Sequence, residues 1–458
     1  MALAAAARER GHLAAVVERP MPEAVSVAAV GSVAELVSSG GTVRLETAAG
    51  RPLGPVTRVP STARPGEVSR AVCQAARLWE RWAASGSGAG DPGLPGTGLI
   101  GVGGFAFRPD RDPAGSWAGF PALLLRVPEL AVVHVRDRSF ATLTLLSRGR
   151  SGPDRQAIAR GRDWAATILA ATGRSGMPPV AAIREVVPSR PEAEWSAAVG
   201  LAIRRLSGPR LQKVVLAREV VARADGPIAV ARLVSALRGA NPGSWTYAVD
   251  GGDGTTLVGS SPELLIRRHG RHLVSEPLAG SAARGASSAA DERLARELRH
   301  SAKNRAEHQA VVEGILGALR PLCQAVHVAA EPRVRRLPTV QHLATVVTGL
   351  LPAGTAASVL DLAAALHPTA AIAGTPRAAA LRVIDELEAL DRGWYGGAVG
   401  WIDARGDGEF ALALRCGLLW EDGLRLFAGA GIMPDSTPAA ELAETEWKLR
   451  PLLAALQG

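Results

Sequence analysis

The sequence predicts an α+β fold, with antiparallel sheets inside and helices packed outside them. Apolar, β-branched runs come in pairs joined by tight turns, as at 397–403 and 409–419 around Ala404-Arg405-Gly406-Asp407-Gly408. Helical patterns come in long separate blocks, such as 291–319, without the strand–helix–strand alternation of a doubly wound sheet. No solenoid-period repeat is present.

Composition bounds the function. The chain has 458 residues, enough for one large domain or two to three ordinary ones. Its 47% hydrophobic and 21% charged residues describe a soluble globular protein. A formal charge of +9 invites a nucleic-acid partner. The basic residues are mostly scattered Arg, however, with no Lys/Arg block or aromatic-basic ladder. A diffuse basic field suits anionic small substrates instead. Cys73, Cys323 and Cys416 lie far apart, so free thiols are expected rather than a zinc site or disulfides. Charges interrupt the apolar residues at the N-terminus, and no apolar run reaches the length of a membrane span. The expectation is a cytoplasmic protein with neither nucleic acid nor membrane as partner.

Along the chain, the first 185 residues say least. Residues 67–83 read as a helix, 85–95 as a Gly/Ser/Pro loop, and 123–127 and 130–135 as strands. Gly96-Thr97-Gly98-Leu99-Ile100-Gly101 matches GxGxxG literally, but a loop precedes it and a strand continues through it. A dinucleotide site needs a strand before and a helix after, so none is expected there. Apolar residues Trp195, Val199, Ile203 and Leu206 mark a helix from Pro191. In the strand 211–223, Lys213 shares a face with Val215 and Ala217. It is either an edge lysine that discourages aggregation or a buried amine able to act as a base. Residues 256–268 read as one bent strand carrying Glu263, and 276–285 as a strand ending in a small-residue turn at Gly280-Ser281. One helix is expected over 291–319, a strand over 343–350 after His342, and a helix over 378–390.

The C-terminal stretch 424–450 is the most suggestive. A strand at 424–428 runs into a glycine turn, Gly429-Ala430-Gly431, where a ligand can approach the backbone. Thr437 and Pro438 then supply an N-cap and first helical position. Glu441, Glu444 and Lys448 fall on one helix face, a set suited to a metal-bridged anion, although ordinary solvated ion pairs would give the same pattern.

Ten segments in order resemble the chorismate-utilising enzymes, which include isochorismate, anthranilate, aminodeoxychorismate and salicylate synthases. They are KVVLAR (213–218), SPELL (261–265), PLAGSAARG (277–285), AKNRAEHQ (302–309), QHLAT (341–345), LHPTAAIAGTPR (366–377), YGGAVGWID (395–403), GDGEFALALRC (406–416), AGAGI (428–432) and ELAETEWKL (441–449). They span about residues 190–452, whereas residues 1–185 match loosely, chiefly at GGFAF (103–107). The resemblance implies two large antiparallel sheets packed as a sandwich, helices outside and the active site between them. It divides the chain into an N-terminal part, 1–185, and a chorismate-binding region, 186–458, together forming one continuous domain.

It also implies a site. Mg²⁺ would be held by Glu307 and Glu444 directly and by Glu441 through water. The ring carboxylate of chorismate would bridge metal and the Gly280-Ser281 turn. Arg415, Lys448 and the Gly429 backbone would hold the enolpyruvyl carboxylate, with His342 and Thr345 near the ring. Lys213 would be the general base on water, where anthranilate synthases usually carry Gln, and Glu263 the general acid. Lys213 and the small apolar pair Ala371 and Ile372 favour the isochorismate-forming branch, an isomerase without an obligate glutamine amidotransferase and acting as a monomer. Salicylate synthase, an anthranilate or aminodeoxychorismate synthase component, and an inactive chorismate-binding homologue are the alternatives. One departure stands out: Ser301-Ala302-Lys303-Asn304-Arg305 replaces the SEKDR of many relatives, which removes acidic charge near the metal.

Overall fold

The structure, a computed structural model, describes residues 13–19, 25–59, 69–86, 94–135, 137–146, 155–171, 181–206 and 210–457. Among these residues two sheets of 11 strands each dominate, with a third of 3 strands, and the pairings within them are antiparallel. The α+β sandwich expected from the sequence is therefore the observed architecture.

The first sheet begins Ile183–Pro188, Lys213–Ala224, Gly423–Ile432, Cys416–Trp420, Thr256–Ser261, Trp245–Asp250. It continues through Leu13–Glu18, Val25–Val30, Leu130–Val135 and Arg138–Leu143, with the short Gly374–Thr375 beside Lys213. In the second sheet Gly408–Leu412, Ala398–Asp403, Ile100–Phe105 and Leu123–Val127 are consecutive neighbours. Strands from both parts of the chain thus pair directly, Leu13–Glu18 with Trp245–Asp250 and Ile100–Phe105 with Ala398–Asp403.

The faces sort by residue type. Val27, Tyr247, Leu257 and Phe427 of the first sheet meet Val102, Leu124, Val399 and Trp401 of the second, forming the inter-sheet core. On the outer face of the first sheet, Leu424 and Leu426 pack under Leu233, Leu237, Leu449 and Leu452 of two helices. Helices Arg70–Ser85 and Val359–Leu366 cover Leu36, Leu45 and Phe410 of the second. Each such side chain contributes about 1.5–3 kcal/mol on burial.

Several sequence expectations change in detail. The helix over 291–319 is two, Ser288–His300 and Ala302–Leu319. Ser301 ends the first, its N–H bonding Glu297 O, and caps the second, its Oγ accepting from Asn304 N at 3.3 Å. The bent strand 256–268 is two strands, one in each large sheet, and Pro262-Glu263 makes the crossing. The strand 343–350 likewise divides into Val340–Ala344 and Val347–Leu350, which lie in different sheets. The run 409–419 breaks at 413–415, where Arg415 takes φ 48°. Gly429-Ala430-Gly431 is no turn but the middle of Gly423–Ile432, held straight by ladder pairing with Lys213–Ala224. Gly280-Ser281 is a bulge inside Leu278–Ala283 rather than a turn after it. The GxGxxG segment does continue into a strand, Ile100–Phe105. Of the 85–95 loop, residues 87–93 fall outside the described residues, as do the first 12. Among the described residues no helix is long and apolar enough to cross a membrane, and all three cysteines are free.

Candidate active site

One cavity gathers most of the expected residues, but it does not lie between the two large sheets as expected: the first large sheet, the three-stranded sheet, two helices and the segments that connect the large sheets form its wall. Lys213, Glu263, Gly280, Ser281, Glu307, His342, Arg415, Gly429, Glu444 and Lys448 line it, together with Ala371, Ile372, Tyr395 and Gly431.

Lys213 opens its strand inside the sheet and is 1% exposed, so the edge alternative is excluded. An ammonium there needs a partner. Its Nζ lies 2.9 Å from Oε1 of Glu307, which the helix Ala302–Leu319 delivers. Glycine makes the approach possible. A Cβ on Gly431 would sit 2.4 Å from that same Glu307 oxygen and 2.9 Å from Lys213 Cε. On Gly429 it would meet the Tyr395 hydroxyl at 3.0 Å.

Glu263 sits at the crossing between the sheets and is buried. Burial raises its pKa to about 8, despite the Leu278 N–H donated to Oε1 at 3.3 Å and the nearby Lys213, Lys448 and Arg415. It is a carboxylic acid, not a carboxylate, at neutral pH.

Arg415 and Lys448 form the cationic side, with the His342 imidazole beside them. Burial brings the Arg415 guanidinium down to about 10, and its Nη2 donates to His342 Nε2 at 3.1 Å. That donor makes Nε2 an acceptor and leaves the proton on Nδ1, which faces Gly280 O at 3.3 Å and Ser281 Oγ at 3.1 Å. Burial, then Arg415 and Lys448, hold the imidazole well below its usual pKa, so it is neutral. Ser281 Oγ also donates to Glu444 Oε1 at 3.3 Å. Arg415 keeps its left-handed backbone inside a wall of functional groups, where such strain tends to collect.

On the helix Pro438–Gln457, Lys448 Nζ lies 2.6 Å from Glu444 Oε1 and donates to Gly429 O at 2.8 Å. Burial alone would push Glu444 up; Lys448, Arg415 and Ser281 outweigh it and hold the carboxylate below its usual range. Glu441, on the same helix, is buried, pairs with Lys303 at 3.2 Å and is not part of the cavity wall. Burial, reinforced by Glu444, raises its pKa.

Two expected contacts differ. Thr345 is not on the wall: its hydroxyl meets His308 Nε2 at 2.6 Å behind it. The Ser281 N–H, expected to face an anion, bonds Asn304 Oδ1 at 3.2 Å because Asn304 packs over the bulge at Gly280, φ 73°.

The donor set admits a metal. Glu307 and Glu444 bring carboxylates to one cavity from two helices, beside a glycine whose Cβ would fill the space. Mg²⁺ is held by one or two carboxylates and retains waters, so such a pair fits it. Among the described residues no three His, Cys, Asp or Glu converge, which does not fit a structural zinc site.

Tyr395 and Arg392 of the wall were missed by sequence reasoning. Tyr395 opens the YGGAVGWID segment, a signal that could have found it. Arg392 is a lone arginine with no spacing to mark it.

A protonated acid, a buried amine and two further cations around one cavity are the parts of an acid–base enzyme for a small anion. A family model described as "Chorismate binding enzyme" matches residues 61–457, and the chain belongs to that family. It is 36% identical over 357 residues to isochorismate synthase MenF of Bacillus subtilis, covering 78% of this chain and 74% of that protein. The crystal structure of a putative 2,3-dihydroxybenzoate-specific isochorismate synthase, DhbC, from Bacillus anthracis is similar at TM-score 0.73 and 27% identity, over 100% of this chain and 99% of that one. MenF of Escherichia coli, the menaquinone-specific isochorismate synthase, shares the fold at TM-score 0.78 and 24% identity, covering 100% and 91%.

Proposed function

We propose that the chain is an isochorismate synthase, converting chorismate to isochorismate. The observation that carries this reading is the pair of groups on one cavity, the buried Lys213 amine and Glu263 kept protonated by burial. In this reading the Lys213 amine takes a proton from water as the water attacks C2. Glu263 gives its proton to the departing C4 hydroxyl, and the ring double bond shifts. Burial keeps the acid protonated, as such chemistry requires. Arg415 and Lys448 would hold the enolpyruvyl carboxylate, Arg through its planar fork. Neutral His342 and the Gly280 bulge, with Gly429 opposite, would bound the ring.

The finer points belong to the same reading. Glu307 and Glu444 would hold Mg²⁺, with Glu441 behind them acting through water. When bound, the ion would neutralise the ring carboxylate. The enzyme would act as a single-domain monomer in the cytoplasm, without a glutamine amidotransferase, and its product could feed menaquinone, siderophore or salicylate synthesis.

The test is incubation with chorismate and Mg²⁺ in the absence of ammonia, with products separated by chromatography. Isochorismate alone is expected. Salicylate with pyruvate, anthranilate formed only with ammonia, or binding without turnover would each replace the reading with one of its alternatives.

A further inference from the structure

The strand that carries Lys213 is not fully flanked by strands on one side. Gly374–Thr375 pairs with it only at Lys213 and Val214, and Ile183–Pro188 only from Val220 onward. Between them backbone meets only the ends, Val215 N–H bonding Ala373 O at 2.9 Å and Glu219 O accepting from Ser189 N at 3.1 Å, and side chains fill positions in the gap. Arg392 Nη2 donates to Val215 O at 2.8 Å, and Ala217 N donates to Glu388 Oε2 at 2.8 Å. Trp195 Nε1 donates to Ala217 O at 3.0 Å.

Arg392 and Glu388 form a closed fork, Nε to Oε1 and Nη2 to Oε2, both at 2.6 Å. Their side chains are only 3% and 1% exposed. The remaining arm of the fork, Nη1, donates to Ile372 O at 2.7 Å, and the guanidinium lies 4.2 Å from the centre of the Phe107 ring. The pair therefore bonds two parts of the active-site wall, Val215 and Ile372, and Arg392 lines that wall itself, while every hydrogen bond it makes goes to protein groups other than Arg415 and Lys448. A buried ion pair is costly unless every donor and acceptor is met, and replacing it with apolar side chains often costs nothing. Its presence here needs a reason other than stability.

We propose that Arg392 and Glu388 are positioning residues for the reaction: they replace the missing strand beside Val215–Ala217 and so fix Lys213 relative to the Ile372 wall. This rests on the reading of Lys213 as the base. Misplacing a reacting group by about 1 Å costs on the order of 10²-fold in rate, whereas substrate capture by Arg415 and Lys448 should be spared.

The experiment compares wild type, Arg392→Ala and Glu388→Gln in steady-state turnover of chorismate, with near-UV circular dichroism to verify folding. Arg392→Ala is expected to lose about 10–100-fold in kcat with KM changed less than about threefold. Guanidinium ion at non-denaturing concentration should restore part of that kcat and leave wild type unchanged. Arg392 also lines a neighbouring cavity of about 140 Å³, the space such an ion would enter. Should Arg392→Ala fail to fold, Glu388→Gln carries the test, because Gln keeps the size and an acceptor for Ala217 N–H. It is expected to lower kcat several-fold at constant KM and to speed amide exchange at Ala217 but not at Ala222. Unchanged kcat and exchange in Glu388→Gln, or equal losses in kcat and 1/KM in Arg392→Ala without guanidinium rescue, would overturn the proposal. Failure of wild type to form isochorismate would count against the functional reading instead, and the exchange measurement would still report on the pair.

Discussion

Lys213 Nζ and Glu307 Oε1 lie 2.9 Å apart, so the proposed base and a proposed metal ligand share one ion pair. The two roles need different partners: a base must be neutral, and a carboxylate that binds Mg²⁺ must turn an oxygen to it. Lys213→Gln keeps a polar group of similar reach but removes the base. It should lower kcat by about 10²–10⁴-fold while leaving chorismate binding nearly intact, measured as product formed per enzyme by chromatography.

Glu263 gives a pH prediction with a definite sign. Burial raises its folded-state pKa to about 8, above the ordinary carboxyl value of 4.5. As the general acid it must be protonated, so turnover should fall as pH rises past about 8. Stability follows the same group. The folded form keeps a proton that the unfolded chain releases, so this contribution is full below the unfolded pKa and is lost as pH rises through about 8. Glu263→Gln cannot ionise. It should be inactive, and its unfolding free energy should lose less between pH 5 and pH 8 than wild type, by on the order of 3 kcal/mol. Denaturant titrations at the two pH values measure it.

Gly431 tests the space around the carboxylates. An added methyl would lie 2.4 Å from Glu307 Oε1 and 2.9 Å from Lys213 Cε, and the glycine sits in regular strand pairing. Gly431→Ala should therefore keep the fold but displace both groups. Turnover should drop by at least about tenfold, with more Mg²⁺ needed for half-maximal rate. Chelation of the metal from wild type should abolish turnover and be reversed by adding Mg²⁺.

Much of this was legible in the sequence, and the limits had physical causes. The α+β class followed from paired β-branched runs and separate helical blocks, and the buried carboxylates and cations from short motifs such as SPELL and ELAETEWKL. Periodicity could not decide whether Lys213 was an edge residue, because that depends on strand neighbours far along the chain, Gly423–Ile432 and Gly374–Thr375. It also could not see Ser301 dividing one apolar pattern into two helices, since a single serine caps both. The glycines at 429 and 431 read as a turn because their function, leaving room for Tyr395, Glu307 and Lys213, is invisible without the partners.

Ala389 follows the helix Arg377–Leu387 and its cap Glu388 with φ 51°, a place where glycine is usual. The methyl is strained there. Ala389→Gly should stabilise the protein by about 1 kcal/mol in denaturant unfolding while leaving kcat unchanged.

If water activated by Lys213 attacks chorismate while Glu263 releases the old hydroxyl, the new ring hydroxyl takes its oxygen from solvent. Turnover in heavy-oxygen water should then give isochorismate with one solvent oxygen in its ring hydroxyl, formed by wild type and lost in Lys213→Gln. Isochorismate without solvent oxygen, or undiminished labelling in the variant, would rule this mechanism out.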